Sequence, residues 1–430
     1  MSMVFGIILL IILIIAGVSI PFAFGGVLVY YFFTQGGSPA TTVSVGFSQL
    51  NSMVLLAIPM FIIAGGVIEK GKLGDGLVNF IDMFVGHIKG GLGAVSVLTC
   101  GIFGAITGSC AATLSCIGSI MYPKLRRAGY EEGFATALLV NAGPLGLLIP
   151  PSADQILYAW SSGMSVLACF LSTVIPGIIL AFLLIVVNFV HARKSPSIKQ
   201  VEKVKVFSKA GAERTKWGIP GLLFPVIVLG SIYGGIMTPT EAAAVSIVYA
   251  IPVGLWIYKG IKLRDLKNIF IETGTTTGVI MVMLFVIMIV SRYFVMGGIP
   301  NMMRDAMLAI SDNKYIILLM TNVFLIIIGM LMDDTSGILL CTPLLLPLMT
   351  SIGVNPIHFA AIIGVNLGMG NITPPTAPLL YIGCRLTGAS LADTMGPTLK
   401  MLLFAWLPTL LLTTYVPQIA LALPHALGYV

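Results

Sequence analysis

The chain has 430 residues, of which 57% are hydrophobic and only 9% are charged, and its net charge is +7. Soluble globular domains carry about 25% charged residues, so this composition excludes a soluble fold. It predicts an all-α polytopic membrane protein, because the apolar segments are long and continuous rather than alternating as in a β-barrel.

The first apolar segment, residues 1–33, lacks the basic start of a cleaved signal peptide and is expected to stay in the membrane. It predicts two short spans that meet near Gly17–Pro21, and one long tilted helix is the alternative.

Positive charge concentrates in three loops, namely KLRR at 124–127, the segment 191–217, and KGIKLRDLK at 259–267. Segment 191–217 has eight Lys and Arg residues against two Glu. Short loops rich in Lys and Arg lie in the cytoplasm under the positive-inside rule, which favours this interpretation over a nucleic-acid patch. All three loops are therefore expected on one side of the membrane.

Two segments have the wrong length for membrane spans. Residues 90–123 carry no charge and include GAITGSCAAT at 104–113; residues 314–347 include MDDTSG at 332–337. Each is longer than the roughly 20 residues of one span and too short for two spans with a turn. We expect re-entrant hairpins whose tips end near the middle of the bilayer, where irregular backbone must be buried or line a water-filled cavity.

Each hairpin is followed by a span with a helix-breaking sequence inside it. These sequences are NAGPLGLLIPPS at 141–152 and NLGMGNITPPTA at 366–377. They predict broken helices over about 133–160 and 357–383. A broken helix leaves free carbonyls on one side and free N–H groups on the other, so it can bind a cation and an anion inside the membrane.

Residues that interrupt helices recur at a constant spacing in the two halves of the chain, which predicts two copies of one unit. Counting spans from the basic loops orients the second copy oppositely, as in many secondary transporters. The predicted organisation is a first repeat at 1–190, a basic cytoplasmic linker at 191–217 and a second repeat at 218–430. The matched pairs are Phe134 and Phe359, Asn141 and Asn366, Gly143 and Gly368, Pro150 and Pro375, Gly163 and Gly388, and Ser165 and Ser390.

Paired hairpins, each followed by a Gly/Asn/Pro-broken helix, resemble the large membrane subunit of the tripartite ATP-independent periplasmic (TRAP) transporters, in the ion-transporter superfamily. The resemblance covers essentially the whole chain. The stretches that carry it are LLAIPMFIIAGGVIEKG (55–71), GAITGSCAAT (104–113), GIMTPTEAAA (235–244), MDDTSGILLCTPLLLP (332–347) and NLGMGNITPPTAP (366–378).

The resemblance implies a bacterial inner-membrane protein that works by an elevator mechanism, in which a transport domain of hairpins and broken helices slides against a scaffold, driven by sodium. It also implies two partners, a soluble periplasmic binding protein and a small four-helix membrane subunit. The small subunit is expected as a separate chain, because 430 residues leave no room for a fused one. The substrates implied are carboxylates, with sialic acid first and C4-dicarboxylates as the alternative.

Arg292 interrupts the apolar run VIMVMLFVIMIVSRYFVMGG at 279–298. A permanent charge deep in a span costs about 2.5–3.5 kcal/mol on insertion scales, so a function is expected. We interpret Arg292 as a bidentate partner for a substrate carboxylate, with snorkelling to the interface as the alternative. The full set of predicted substrate-binding residues is Arg292, Ser109, Ser152, Asp154, Asp333 and Asp334.

Acidic residues are rare in these spans, and helix capping is the alternative function for Asp154, Asp333 and Asp334. Sodium prefers hard oxygen ligands, which the polar hairpin tips and helix breaks offer. The predicted sodium ligands are Thr107, Ser109, Gly143, Gly146 and Pro150 in the first repeat and Thr335, Ser336, Gly368, Asn371 and Thr373 in the second. Asn141 and Asn366 either belong to this set of sodium ligands or only hold each hairpin against its broken helix by buried hydrogen bonds.

Other chemistry is less well supported. Thr238 and Glu241 form a capping-box pattern around Pro239, and the six cysteines are interpreted as apolar filler. An enzyme is disfavoured because no HExxH pair exists and the histidines are scattered. A channel would not need two inverted broken-helix units. A proton-coupled or binding-protein-independent carrier of the same superfamily stays open as an alternative.

Overall fold

The computed structural model describes residues 2–36, 38–200 and 208–429, and within these ranges the regular secondary structure is entirely helical. Six helices in the described ranges are long and apolar enough to cross a membrane, or up to eight if each of two bent helix pairs is one span. The predicted all-α membrane architecture is confirmed.

The first half of the chain forms eleven α-helices in its described part. The 3-10 turn Val54–Leu56 joins α3 to α4, and the two segments are bent by 67°. The helices are α1 (Ser2–Ile15), α2 (Ile20–Gln35), α3 (Pro39–Leu50), α4 (Ala57–Lys70), α5 (Leu73–Val85), α6 (Gly91–Thr107), α7 (Cys110–Arg127), α8 (Glu132–Ala142), α9 (Leu145–Leu148), α10 (Ala153–Ser162) and α11 (Val166–Lys194).

The second half also has eleven α-helices in its described part, with π-helical turns at Val253–Ile257 and Leu402–Trp406. The helices are α12 (Lys209–Tyr233), α13 (Pro239–Pro252), α14 (Leu263–Met296), α15 (Ile299–Ile310), α16 (Lys314–Leu331), α17 (Asp334–Ser351), α18 (Pro356–Gly370), α19 (Pro378–Thr387), α20 (Leu391–Met401), α21 (Leu407–Tyr415) and α22 (Pro417–Ala426).

Two local predictions are borne out by these helices. Residues 2–35 form two short helices rather than one long one, and the Tyr31 hydroxyl near the end of α2 donates to the Met3 carbonyl at 3.0 Å, so α1 and α2 are antiparallel. The capping box at the start of α13 is also present. The Thr238 N–H donates to Glu241 Oε2 at 2.8 Å, and the Glu241 N–H donates to Thr238 Oγ1 at 3.3 Å.

The first predicted hairpin segment forms α6 and α7, joined by a tight turn. Gly108 has a left-handed φ of 62°, which glycine adopts without strain, and Ser109 caps α7 by accepting the Ala112 N–H at 3.5 Å. The ends of this hairpin lie together, because the Tyr130 hydroxyl donates to the Gly90 carbonyl at 3.1 Å. The chain therefore enters and leaves on the same side.

The second predicted hairpin segment forms α16 and α17 in the same way. Asp333 caps α17 and accepts the Ser336 N–H at 3.4 Å. The ends of this hairpin are also joined, because Lys314 Nζ donates to the Gly353 carbonyl at 3.0 Å.

The two broken helices connect the bases of the two hairpins. In the first, the segment Glu132–Leu148 and the helix Ala153–Ser162 are bent by 42°, and the Tyr158 hydroxyl of α10 donates to the Pro356 carbonyl beyond α17 at 2.6 Å. In the second, α19 packs along α7 and α8, and the Thr136 hydroxyl of α8 donates to Thr387 Oγ1 at 2.9 Å. The hairpins therefore approach from opposite directions and meet at their tips.

A close backbone approach recurs in both halves. A Cβ built on Gly104 of α6 would lie 2.4 Å from the Gly146 Cα in the first helix break. A Cβ built on Gly370, at the end of α18, would lie 2.6 Å from the Gly329 Cα of α16. Each hairpin therefore rests directly on the backbone of the broken helix that follows it.

The flanks of the basic loops lie at one end of the molecule. The Lys199 N–H donates to the Ala128 carbonyl at 2.9 Å, which joins the first loop to the second. The Tyr258 hydroxyl donates to the Trp217 carbonyl, which joins the second loop to the third. Residues 201–207 of the predicted linker lie outside the described residues. The contacts place the three loops as the positive-inside rule expects.

Two packing units follow from the helix contacts. The hairpin bundle consists of α6–α11 and α16–α22, and the frame consists of α1–α4 and α12–α14. The long helix α14 packs on α2, α3 and α4 within the frame and on α17 of the hairpin bundle. The repeat boundaries at 1–190 and 218–430 stay predictions.

Candidate functional site

A cavity of about 430 Å³ lies between the hairpin tips and two frame helices, α4 and α14. The hairpin bundle contributes polar side chains from both repeats, and the frame contributes charged and hydroxyl side chains. The polar residues that line it are Thr107, Ser109, Asp154, Asp334 and Thr335 from the bundle and Glu69, Lys70, Glu272, Thr273 and Thr276 from the frame.

Two hydrogen bonds between the repeats hold the second hairpin tip, one to the first broken helix and one to the first hairpin tip. The Thr335 hydroxyl at the second tip donates to Asp154 Oδ1 of α10 at 2.8 Å. The Cys110 thiol at the first tip donates to Asp334 Oδ2 at 2.9 Å. Cys110 is buried, as expected for an apolar filler. Its thiol also makes a polar contact that this interpretation did not predict.

The predicted substrate-binding residues are divided by the structure. Ser109, Asp154 and Asp334 line the cavity together. Ser152 is fully buried behind the first tip, and its Oγ has no hydrogen-bond partner within the described ranges. Asp333 caps α17, as the capping alternative expects, and is absent from the described cavity lining.

Arg292 lies elsewhere. Twenty residues separate it from Glu272 on the continuous helix α14, which corresponds to about 30 Å. Its exposed side chain lines a second cavity of about 410 Å³, together with Ser38, Thr42 and Tyr293. The structure does not bring Arg292 together with the aspartates, and its role in substrate binding stays a prediction.

The first predicted sodium group clusters around the first hairpin tip. Thr107 Oγ1 lies 3.0 Å from Thr113 Oγ1. A Cβ built on Gly146 would lie 3.0 Å from the Ser109 carbonyl oxygen. Pro150 lies in the break between α9 and α10, and Gly143 faces α7, because a Cβ there would lie 3.5 Å from the Cys110 carbonyl oxygen. Hard oxygen atoms are therefore concentrated at this break.

The second predicted sodium group is more dispersed. Ser336 is buried and its hydroxyl donates to Asp333 Oδ1, and the Thr373 hydroxyl donates to the Met369 carbonyl at 2.6 Å. Asn371, in the amide orientation that satisfies both ends, donates to the carbonyls of Met332 and Gly329 at 3.2 and 3.1 Å.

The remaining members of that group lie apart from each other. Gly368 packs against Trp406, whose ring lies 3.1 Å from a Cβ built there. Thr335 instead belongs to the cavity.

Two buried asparagines occupy equivalent positions in the broken helices. Asn366 Nδ2 donates to Asn322 Oδ1 of α16 at 2.9 Å, so it ties its broken helix to the second hairpin. Asn141 Nδ2 donates to the Ala137 carbonyl of its own helix at 2.8 Å. The Oδ1 atoms of both asparagines are buried and have no hydrogen-bond partner within the described part of the chain. Each therefore remains an available oxygen acceptor.

The frame side of the cavity was not predicted as part of the site. Lys70 Nζ forms an ion pair with Glu272 Oε2, and the side chains are 42% and 65% exposed. Thr273 follows Glu272 directly, and Thr276 lies about one turn further along α14. Glu69 and Lys70 are visible in the sequence near the end of the stretch 55–71. There they look like ordinary charges at the end of a membrane span.

The chain matches the family model for the DctM component of the tripartite ATP-independent periplasmic transporters over residues 5–419. The chain belongs to this family. It is 35% identical to the C4-dicarboxylate TRAP transporter large permease protein DctM of Pseudomonas aeruginosa, over 89% of this chain and 88% of that protein. It is 32% identical to the sialic acid TRAP transporter large permease protein SiaM of Vibrio cholerae, over 88% of each.

The fold is similar to that of the YdaH transporter of Alcanivorax borkumensis, with a TM-score of 0.63 over 87% of each chain at 13% sequence identity. The chain is thus a TRAP large permease, a multi-pass protein of the bacterial inner membrane that imports a solute and is not an enzyme. Permeases of this family work with a periplasmic binding protein and a small membrane subunit.

Proposed function

We propose that this TRAP permease couples the import of a carboxylate-bearing solute to sodium, with sialic acid as the first candidate, by an elevator movement of the hairpin bundle along the frame. The observation that carries the proposal is the cavity itself. One wall comes from the tips of two oppositely oriented hairpins, and the other comes from α4 and α14 of the frame. A solute bound there contacts both units.

Sodium coupling is supported by the chemistry of the helix breaks. The buried, unpartnered Oδ1 atoms of Asn141 and Asn366 and the crowded oxygens near Thr107 and Gly146 are hard ligands. A buried oxygen atom without a hydrogen-bond partner is energetically unfavourable, and a co-transported cation would provide the missing partner. We propose that the transported sodium ion binds at these breaks, where the other ligands predicted from the sequence contribute to its coordination.

The proposed elevator movement gives separate roles to the two ends of α14. The basic loops lie at the cytoplasmic end, and Lys70 and Glu272 lie near them, so the 430 Å³ cavity belongs to the cytoplasmic side. Arg292 lines the second cavity at the opposite end of α14. In this proposal Arg292 meets the solute carboxylate when the bundle stands toward the periplasm.

Carboxylate oxygens in the cavity favour a solute with hydroxyl groups as well as a carboxylate. Asp154 and Asp334 accept hydrogen bonds and cannot donate them when ionised, so they suit hydroxyl-bearing solutes. Sialic acid has this character. A C4-dicarboxylate is the second candidate, favoured by the 35% identity to a C4-dicarboxylate permease.

Transport into proteoliposomes tests the proposal. The large permease and its small subunit are reconstituted, the loaded binding protein is added outside, and radiolabelled sialic acid or succinate is followed with an inward sodium gradient. Saturable uptake of one solute that needs both sodium and the binding protein supports the proposal. Undiminished uptake after potassium replaces sodium would remove the sodium sites, and uptake without the binding protein would favour the independent-carrier alternative.

A further inference from the structure

Lys70 is the one cationic side chain that lines the 430 Å³ cavity among the described residues. We propose that Lys70 binds the anionic group of the solute on the cytoplasmic side of the transport cycle and that Glu272 competes with the solute for it. This inference rests on the proposed function, because it requires a solute that carries a carboxylate.

The position of Lys70 suits contact with a solute. It ends α4, and Gly65 one turn earlier on that helix lies against the first hairpin tip, where a Cβ would be 3.5 Å from the Thr107 Cα. Lys70 therefore lines the same cavity as Thr107 and Ser109, from the frame side. The ammonium group sits on a flexible four-carbon stem, so it can reorient toward a carboxylate inside the same cavity.

The charged side chains of the cavity offer a solute anion no second cationic partner among the described residues. The acidic side chains that line the cavity are Glu69, Glu272, Asp154 and Asp334. Among these charged side chains only Lys70 attracts an anion, and like charges in the wrong place weaken binding strongly. Affinity on this side of the cycle should therefore depend on Lys70.

The ion pair between Lys70 and Glu272 is weak enough for Lys70 to exchange Glu272 for another anion. Both side chains are partly exposed to the cavity, and exposed ion pairs contribute little to stability because water competes for each charge. Such a pair would hold Lys70 in place while the cavity is empty and release it to an incoming carboxylate. Glu272 is then a competitor whose removal strengthens solute binding.

A structural role for the same pair predicts a different outcome. If the ion pair served only to pin α4 to α14, loss of either charge would impair the protein in the same direction. If Lys70 binds the solute, loss of Lys70 weakens binding and loss of Glu272 strengthens it. The opposite signs separate the two roles.

The experiment measures affinity from inside proteoliposomes that contain the permease and its small subunit. External binding protein limits uptake to permeases with their periplasmic side outward. The internal concentration of unlabelled solute that half-maximally changes the uptake rate then reports affinity on the cytoplasmic side. Lys70→Ala should raise this concentration by about fivefold or more, Lys70→Arg should restore most of it, and Glu272→Gln should lower it by about twofold or more.

Lys267→Ala is the matched control, because Lys267 is an exposed lysine on the same end of α14 and does not line the cavity. It should behave like the wild type. An unchanged value in Lys70→Ala, or a Glu272→Gln value that is unchanged or raised, would overturn the inference. If Lys70→Ala fails to insert, the sign of the Glu272→Gln effect decides alone. Wild-type protein without sodium-dependent uptake would instead refute the proposed function.

Discussion

Substituting Gly104 by alanine tests the packing that positions the first hairpin tip. The new Cβ would lie 2.4 Å from the Gly146 Cα and 2.7 Å from its nitrogen. Carbon atoms in contact prefer separations of about 3.5–4.0 Å, so α6 and the helix break must move apart by about 1 Å. Overpacking of this kind costs about 1–3 kcal/mol.

The displacement reaches the proposed sodium ligands directly, because Thr107 ends α6 and Gly146 belongs to the break. If the cost falls on the sodium-bound state, the sodium concentration for half-maximal uptake should rise by about five- to 150-fold, since each 1.4 kcal/mol is a factor of ten. Sodium titration of uptake in proteoliposomes measures this shift, and thermal unfolding of the solubilised complex measures any loss of stability.

Gly274→Ala provides the control. Gly274 is exposed on α14, and a Cβ there meets nothing within 4 Å. Alanine should stabilise this helix by up to about 1 kcal/mol and leave sodium dependence unchanged. If Gly104→Ala matched Gly274→Ala in both assays, close backbone packing between hairpin and break would not be what holds the site.

Substitutions at three further positions test individual residues. Thr335→Val removes the hydrogen bond to Asp154; a bond to a buried carboxylate is worth about 1.5–3 kcal/mol, so uptake should fall about tenfold or more, and Thr335→Ser should retain it. Asn366→Ala removes the 2.9 Å hydrogen bond to Asn322 Oδ1, which keeps the 3.3 Å bond from the Thr414 hydroxyl, so thermal unfolding should report a destabilisation of about 0.5–1.5 kcal/mol. Arg292→Ala and Arg292→Lys should both impair uptake strongly in normally inserted protein, and near-normal rates would dismiss its role.

The hairpins and helix breaks could be predicted because the signal for each lies in one short, continuous stretch of sequence. A charge-free segment of intermediate length predicted α6 and α7, and Gly and Pro predicted the breaks within a few residues. Asp154 and Asp334 were found because an acid inside an apolar segment is conspicuous. The interpretation of Arg292 used the same reasoning, yet the structure places it about 30 Å along α14 from the charged frame wall.

The frame side of the site escaped prediction because its residues carry no local signal. Lys70 and Glu272 are distant in sequence, each looks like an ordinary span-end charge, and only the packing of α4 on α14 makes them neighbours. The contact between Cys110 and Asp334 is similarly invisible, since it depends on the meeting of two hairpin tips from opposite repeats.

Helix α4 meets two of its neighbours, α6 and α14, through adjacent glycines. Gly65 faces the Thr107 backbone, and a Cβ on Gly66 would lie 2.6 Å from Thr273 Cγ2. A body that translates along a helix ordinarily has to pass each projecting side chain, with a barrier at every one. Bare backbone at this junction offers no such obstacle to the proposed elevator movement, so a larger side chain at Gly65 should slow the rate of each turnover.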